Sequence, residues 1–226
     1  MAYEWHRPLE SKSFTFTVLI FAAVAIGGLV LIPPLFLQGA IAPIDTLRPY
    51  TALEQEGRDI YIREGCNTCH SQQVRPLKSE TERYGPYSLA GEGTYDRPFL
   101  WGSRRTGPDL HRVGGRYPDS WHWLHFKDPR QLEARSNMPV FDFLTTTALD
   151  TSLTRAKLSA LTTLGHPYSA EEIENAAHDA LAEADAVAAR LRTQGVELDD
   201  IEGRSEAIAV IAYLQSLGHA VREVKN

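Results

Sequence analysis

At 226 residues the chain can hold one modest domain plus extra segments, and its formal charge of −6 with no basic stripe excludes a nucleic-acid partner. Hydrophobic residues make up 43% and charged residues 23%, a balance that excludes a disordered chain. Both cysteines sit in one pentapeptide, Cys66-Asn67-Thr68-Cys69-His70, and Met138 is the sole methionine besides Met1.

The first element is apolar. From Ser13 to Ile44 there is no charged side chain, and Phe14 to Ile32 is almost unbroken. Crossing about 30 Å of hydrocarbon takes about 20 such residues, so 14–37 reads as a single transmembrane anchor. Pro33-Pro34 bends or ends its helix, because proline removes a backbone donor and clashes with the preceding turn. A cleaved signal peptide is the rival, since Ala40-Ile41-Ala42 resembles a cleavage site. The apolar run exceeds the usual apolar core of such peptides, however, and Pro43 would directly follow the cut. Arg7 and Lys12 precede the span, whereas Asp45 and Arg48 follow it. The larger number of Lys and Arg residues before the span weighs toward 1–13 as a cytoplasmic tail, with 38–52 as a linker and 53–226 as an exported domain. The expected location is therefore a bacterial inner membrane, crossed once, with the domain in the periplasm and lipid around the anchor.

Leu53 to Arg63 reads as a helix leading into Cys66-x-x-Cys69-His70, the signature of covalent c-type haem attachment. The two thiols add across the porphyrin's vinyl groups, and the short loop then brings His70 under the iron as the proximal ligand. A zinc site would need further soft ligands, and there is no third cysteine. Next comes Ser71 to Trp101, a long loop of the kind that often carries function, read as a docking surface for a partner subunit.

The second axial ligand decides between electron transfer and ligand activation. Met138, in Ser136-Asn137-Met138-Pro139, is the candidate, because a residue before proline is driven into extended backbone that could hold a thioether in place. The alternative is a gap-filling core methionine. Among histidines 111, 122, 125, 166, 178 and 219, His125 in the aromatic segment Trp121-His122-Trp123-Leu124-His125 is the second choice. His178 and His219 fall in polar helices.

Leu153, Leu158, Leu161 and Leu164 predict a short amphipathic helix ending at Gly165. Ser169-Ala170-Glu171-Glu172 has the form of a capping box opening an Ala-rich helix to about Arg192, whose charges read as a solvated face. Both belong to a helical insertion, 144–204. Ile208, Ile211, Tyr213, Leu214 and Leu217 recur at helical spacing, with Gly218 as a C-cap. Gly57 and Tyr61 offer the small-residue contact for a crossing with that helix. No acid–base constellation for substrate chemistry occurs, so no catalytic residue is expected on this chain.

Thr106-Gly107-Pro108-Asp109-Leu110-His111-Arg112-Val113-Gly114-Gly115-Arg116 resembles the T-G-P-N-L-H-G-L-F-G-R segment of small class I cytochromes c. The resemblance implies that the Pro108 carbonyl accepts the proximal histidine's N–H, that Arg116 contacts a haem propionate, and that His111 is not a ligand. The blocks from Gly65 to Pro76, Glu80 to Gly85, Trp101 to Leu110 and Ser136 to Pro139 are similar to mono-haem subunit II of cbb3-type cytochrome c oxidases. That resemblance spans the anchor and nearly all of the exported domain. It implies a mainly α chain, a transmembrane helix followed by a class I cytochrome c-like domain, carrying one covalent haem c. It also implies a haem–copper catalytic subunit that reduces O₂ and pumps protons, with a di-haem cytochrome c subunit or a soluble cytochrome c as electron donor. The anchored mono-haem subunit of nitric oxide reductase is the runner-up.

Overall fold

The computed structural model describes residues 6–33, 41–102 and 104–223. It divides into two compact units, 1–42 and 43–226.

In the first unit, α1 (Arg7–Ser11) precedes α2 (Ser13–Leu31), which is apolar on every face. α2 has 19 residues and a mean hydropathy of 2.5, with none of its side chains buried by protein. At 1.5 Å per residue it spans about 28 Å, the thickness of a bilayer core. The helix ends with Ile32 as its C-cap, just before the proline pair. Residues 34–37 of the expected anchor, and Ala40 of the rival cleavage site, lie outside the described residues.

The second unit is helical, and the described residues form no strand beyond one isolated bridge between Ala148 and Ser205. α3 (Ala52–Arg63) opens on Thr51, whose hydroxyl accepts from Glu54 N (3.2 Å) while the Glu54 carboxylate accepts from Thr51 N (2.9 Å). α4 (Cys66–Cys69) is a single turn; α5 (Lys78–Tyr84), α6 (Asp119–Lys127) and α7 (Phe143–Thr146) are short. α8 (Thr154–Thr163) and α9 (Ala170–Thr193) follow, then α10 (Glu206–Ser216) and α11 (His219–Glu223).

The core is built on the crossing of α3 and α10, the most extensive helix contact in the unit. Ile208, Ile211 and Tyr213 of α10 are fully buried, as is Leu53 of α3. Burying each such side chain is worth about 1.5–3 kcal/mol. The helices approach this closely because Gly57 has no side chain: a Cβ there would lie 1.9 Å from the Ala209 carbonyl oxygen. Tyr61 packs edge-on to Tyr213, with ring centroids 5.4 Å apart. α10 ends at Ser216 with Leu217 as its C-cap, and Gly218 takes the left-handed conformation (φ +76°) after it.

The segment between α7 and α10 leaves and returns at one place. Leu149 N donates to Arg204 O and Glu206 N to Thr147 O, both at 2.9 Å, so its two ends are stitched together. Within it, Ser169 caps α9 in a capping box with Glu172. Ala176, Ala180, Ala184, Val187, Ala188 and Leu191 form the buried face of α9, while Glu171, Glu174 and Asp185 stay exposed. α9 packs on α8, α3 and α10, so the segment extends the core behind the α3–α10 crossing.

His166 follows α8 and is 3% exposed, its ring 5.2 Å from Tyr95 and 5.9 Å from Tyr168. Neither ring nitrogen has a hydrogen-bond partner among the described residues. Burial, with Arg97 and Arg58 adding to it, pushes its pKa down to about 4. As pH falls below about 6.5, the unfolded chain therefore takes up a proton that the folded chain refuses. Stability from the neutral ring is complete above pH 6.5 and is lost as pH falls through 4. Urea unfolding at a series of pH values should show a shallower decline between 6.5 and 4 for His166→Phe than for the wild type. Identical declines would rule out this residue as a source of acid sensitivity.

Candidate functional site

The Cys66–Cys69 turn is set by local rules. Gly65 enters it in the left-handed region (φ +70°), Thr68 N donates to Gly65 O, and His70 N closes the turn on Cys66 O, both at 2.9 Å. Residues three apart on a helical turn share a face, so both thiols present together. Cys66 is half-buried and Cys69 exposed. Burial pushes the Cys66 thiol up to about 12, which keeps it protonated rather than a reactive thiolate.

His70 follows in extended backbone. Its Nδ1–H donates to the Pro108 carbonyl at 2.8 Å, leaving Nε2 as the ring's available nitrogen. Burial lowers the His70 pKa, against the pull of that carbonyl, which favours the neutral ring a metal ligand requires. The preceding residue, Gly107, presses on the same ring: a Cβ there would lie 2.2 Å from His70 Cε1. Gly107 N donates to Cys69 O and Leu110 N to Ser71 O, both at 2.9 Å, so the 107–110 segment is laced to the chain on either side of His70.

Cys66, Cys69, His70, Pro108, Arg116 and Met138 all border one cavity of about 670 Å³. That is the size of a cleft for a large organic ligand, for which the usual range is about 300–1,000 Å³. Its apolar lining comes from Tyr61, Leu110, Val113, Phe126, Val210 and Leu214. Met138 is half-buried against the core in a stretch outside any helix, its N–H donating to Ser136 Oγ at 3.2 Å. The exposed Arg116 guanidinium meets the Arg83 carbonyl (3.3 Å) and lies 5.9 Å from the Tyr117 ring centre. Two thiols, an oriented imidazole, a thioether and arginine around a cavity with a large apolar share to its lining fit a haem. No group of three or more His, Cys, Asp or Glu side chains able to hold a metal ion occurs among the described residues.

The histidines separate into two sets. His122 and His125 border the cavity; His111, His166, His178 and His219 do not. His125 is stacked on Trp121 at 4.5 Å, and Trp121 on Tyr117 at 4.1 Å, a three-ring pile. His111 instead sits beside Ser88 Oγ (2.5 Å) and Glu92.

Several cavity residues escaped the sequence reading. The segment from Ser71 to Trp101, expected as a loop, contains α5 and a 3₁₀ turn (Ala90–Gly93), and it supplies Arg83 and Tyr84 to the cavity wall. A seven-residue helix with one buried residue, Glu80, has no apolar period to reveal it. The Tyr117 ring over Trp121 could be suspected only from their i, i+4 spacing.

The family model for the cytochrome c oxidase mono-haem subunit, FixO, matches residues 6–221. The chain belongs to the FixO family. It is accordingly a mono-haem cytochrome subunit of a cytochrome c oxidase-type complex, and other subunits of that complex are its partners. No match to a curated protein was found. Within the FixO fold, α2 is consistent with a single-pass anchor.

Proposed function

We propose that this chain relays electrons within a cbb3-type oxidase. Cys66 and Cys69 would hold one haem c through thioether bonds, and His70 and Met138 would ligate its iron. The bound haem supplies one-electron oxidation and reduction, and the chain's residues do the rest. The Pro108 carbonyl holds the His70 ring in the tautomer whose Nε2 is free, and it raises the ring's basicity. Arg116 balances propionate charge, while the apolar walls exclude water and steady the potential. The observation that carries this reading is the single cavity bordered by both thiols, a pinned imidazole and Met138.

Electrons then pass from the di-haem subunit or a soluble cytochrome c to the haem–copper catalytic subunit. The anchor holds the domain on the periplasmic side of the inner membrane. No substrate chemistry is assigned to this chain. Met138 is favoured over His125 because it borders the same cavity within Ser136-Asn137-Met138-Pro139, the block similar to subunit II of cbb3-type oxidases.

Purifying the intact membrane complex through this chain tests the assignment. The expected result is O₂ consumption with haem b, copper and a di-haem subunit present. A complex that consumes NO and ignores O₂ would place the chain in a nitric oxide reductase. Met138→Ala should convert a low-spin haem that does not bind CO into one that does. An unchanged spectrum would transfer the axial role to another residue, His125 first.

A further inference from the structure

The segment Ser71 to Trp101 lies against the proximal side of the site through three side chains that the electron-relay reading leaves unused. Asp109 directly follows Pro108 and is 5% exposed. Its Oδ2 accepts from Ser71 Oγ (2.7 Å) and Gln73 N (2.8 Å), and its Oδ1 accepts from His111 N (2.9 Å). Arg105 lies 3.5 Å from the same carboxylate. Arg105 also donates to Ser71 Oγ (2.5 Å), to Gln73 O (2.7 Å) and, through Nη2, to Glu80 Oε2 on α5 (2.8 Å). Glu80 further accepts from Arg75 N at 2.8 Å and from the Arg75 side chain. The guanidinium of Arg105 holds the Glu80 carboxyl down to about 2.

These bonds join the chain leaving His70 to the chain carrying Pro108. Only an acceptor-only carboxylate can serve Ser71, Gln73, His111 and Arg105 at once; an asparagine has one acceptor oxygen and would turn donors against donors. The resembling segment of small cytochromes c has asparagine at this position, and this chain has Asp109 together with Arg105 and Glu80.

We propose that Asp109, Arg105 and Glu80 act as positioning residues, a clasp that fixes the Pro108 carbonyl on His70 Nδ1 and thereby holds down the reduction potential of the haem. The proposal rests on the reading of His70 as the proximal ligand. A firmly held acceptor makes the imidazole more basic and favours the oxidised state. The buried negative charge of Asp109 works in the same direction, so losing either effect raises the potential.

Redox titration of the full-length, membrane-purified chain tests this, with haem content and melting temperature recorded on the same samples. Asp109→Asn should shift the midpoint potential upward while haem stays attached and low-spin. Glu80→Gln should give a smaller shift of the same sign, and it decides the question if Asp109→Asn does not accumulate. Glu82→Gln, on the exposed side of α5, is the control and should leave the potential at the wild-type value. Wild-type potentials in the Asp109 and Glu80 variants, with lowered melting temperatures, would make the clasp purely structural and overturn the proposal. A wild-type chain without attached haem, or with an axial spectrum insensitive to His70→Ala, would instead overturn the underlying site.

Discussion

Gly107→Ala is expected to destroy His70 ligation while leaving both thiols in place. The new Cβ would stand 2.2 Å from His70 Cε1, 2.6 Å from Nδ1 and 2.8 Å from Nε2, so no small rotation of the ring relieves the contact. The ring cannot retreat without losing the 2.8 Å bond to Pro108, and Gly107 cannot retreat without losing its 2.9 Å bond to Cys69 O. Overpacking of this kind costs about 1–3 kcal/mol. That corresponds to roughly a five- to 150-fold fall in the ratio of ligated to unligated chain, since about 1.4 kcal/mol is tenfold in an equilibrium constant. Absorption spectra of the reduced chain would show high-spin haem, with the attached amount reduced. A low-spin spectrum at wild-type intensity would mean that Gly107 does not confine the ligand.

Gly57→Ala should weaken the whole haem-bearing domain rather than the site alone. A Cβ there meets the Ala209 carbonyl oxygen at 1.9 Å and carbon at 2.5 Å, and Tyr213 Cβ at 2.9 Å. Backbone cannot swing aside, so α3 and α10 must separate along the crossing that buries Ile208, Ile211 and Tyr213. Alanine in place of glycine gains about 1 kcal/mol of helix propensity. Overpacking against backbone costs about 3 kcal/mol, the upper end of its range, and wins. A net loss of about 2 kcal/mol predicts a melting temperature lower by roughly 4–8 °C for a domain of this size. Thermal unfolding followed by circular dichroism checks it, and a melting temperature at or above the wild type would contradict the close crossing.

Those two glycines differ in how readable they were. Gly57 announces itself, because a glycine inside a strong helical pattern, facing a second apolar helix, has few reasons to be there other than a close approach. Gly107 gains its meaning only from His70, 37 positions earlier, and the contact emerges once the 107–110 segment folds back. The same division runs through the rest of the chain. Ser169 and Glu172 cap α9 through neighbours three residues apart, so the pattern is local and legible. The Cys66–Cys69 turn and the apolar α2 are equally local. The clasp of Glu80, Arg105 and Asp109 is not, since the bonds that tie Ser71, Gln73 and Glu80 to Arg105 and Asp109 run between residues 25 to 38 positions apart and each side chain alone looks like an ordinary surface charge. The stitched ends of the segment between α7 and α10 were hidden for the same reason. Backbone bonds between Thr147 or Leu149 and the chain near Arg204 leave no mark in side-chain composition.

The proposed relay depends on covalent attachment of one haem through Cys66 and Cys69. Mass spectrometry of the full-length chain, isolated from the membrane complex and denatured in acid, tests it most directly. The expected result is an added mass of a single haem that survives denaturation, located by digestion on the peptide containing Cys66 and Cys69. A chain whose mass equals that of the polypeptide alone, or whose haem separates on denaturation, would contradict it.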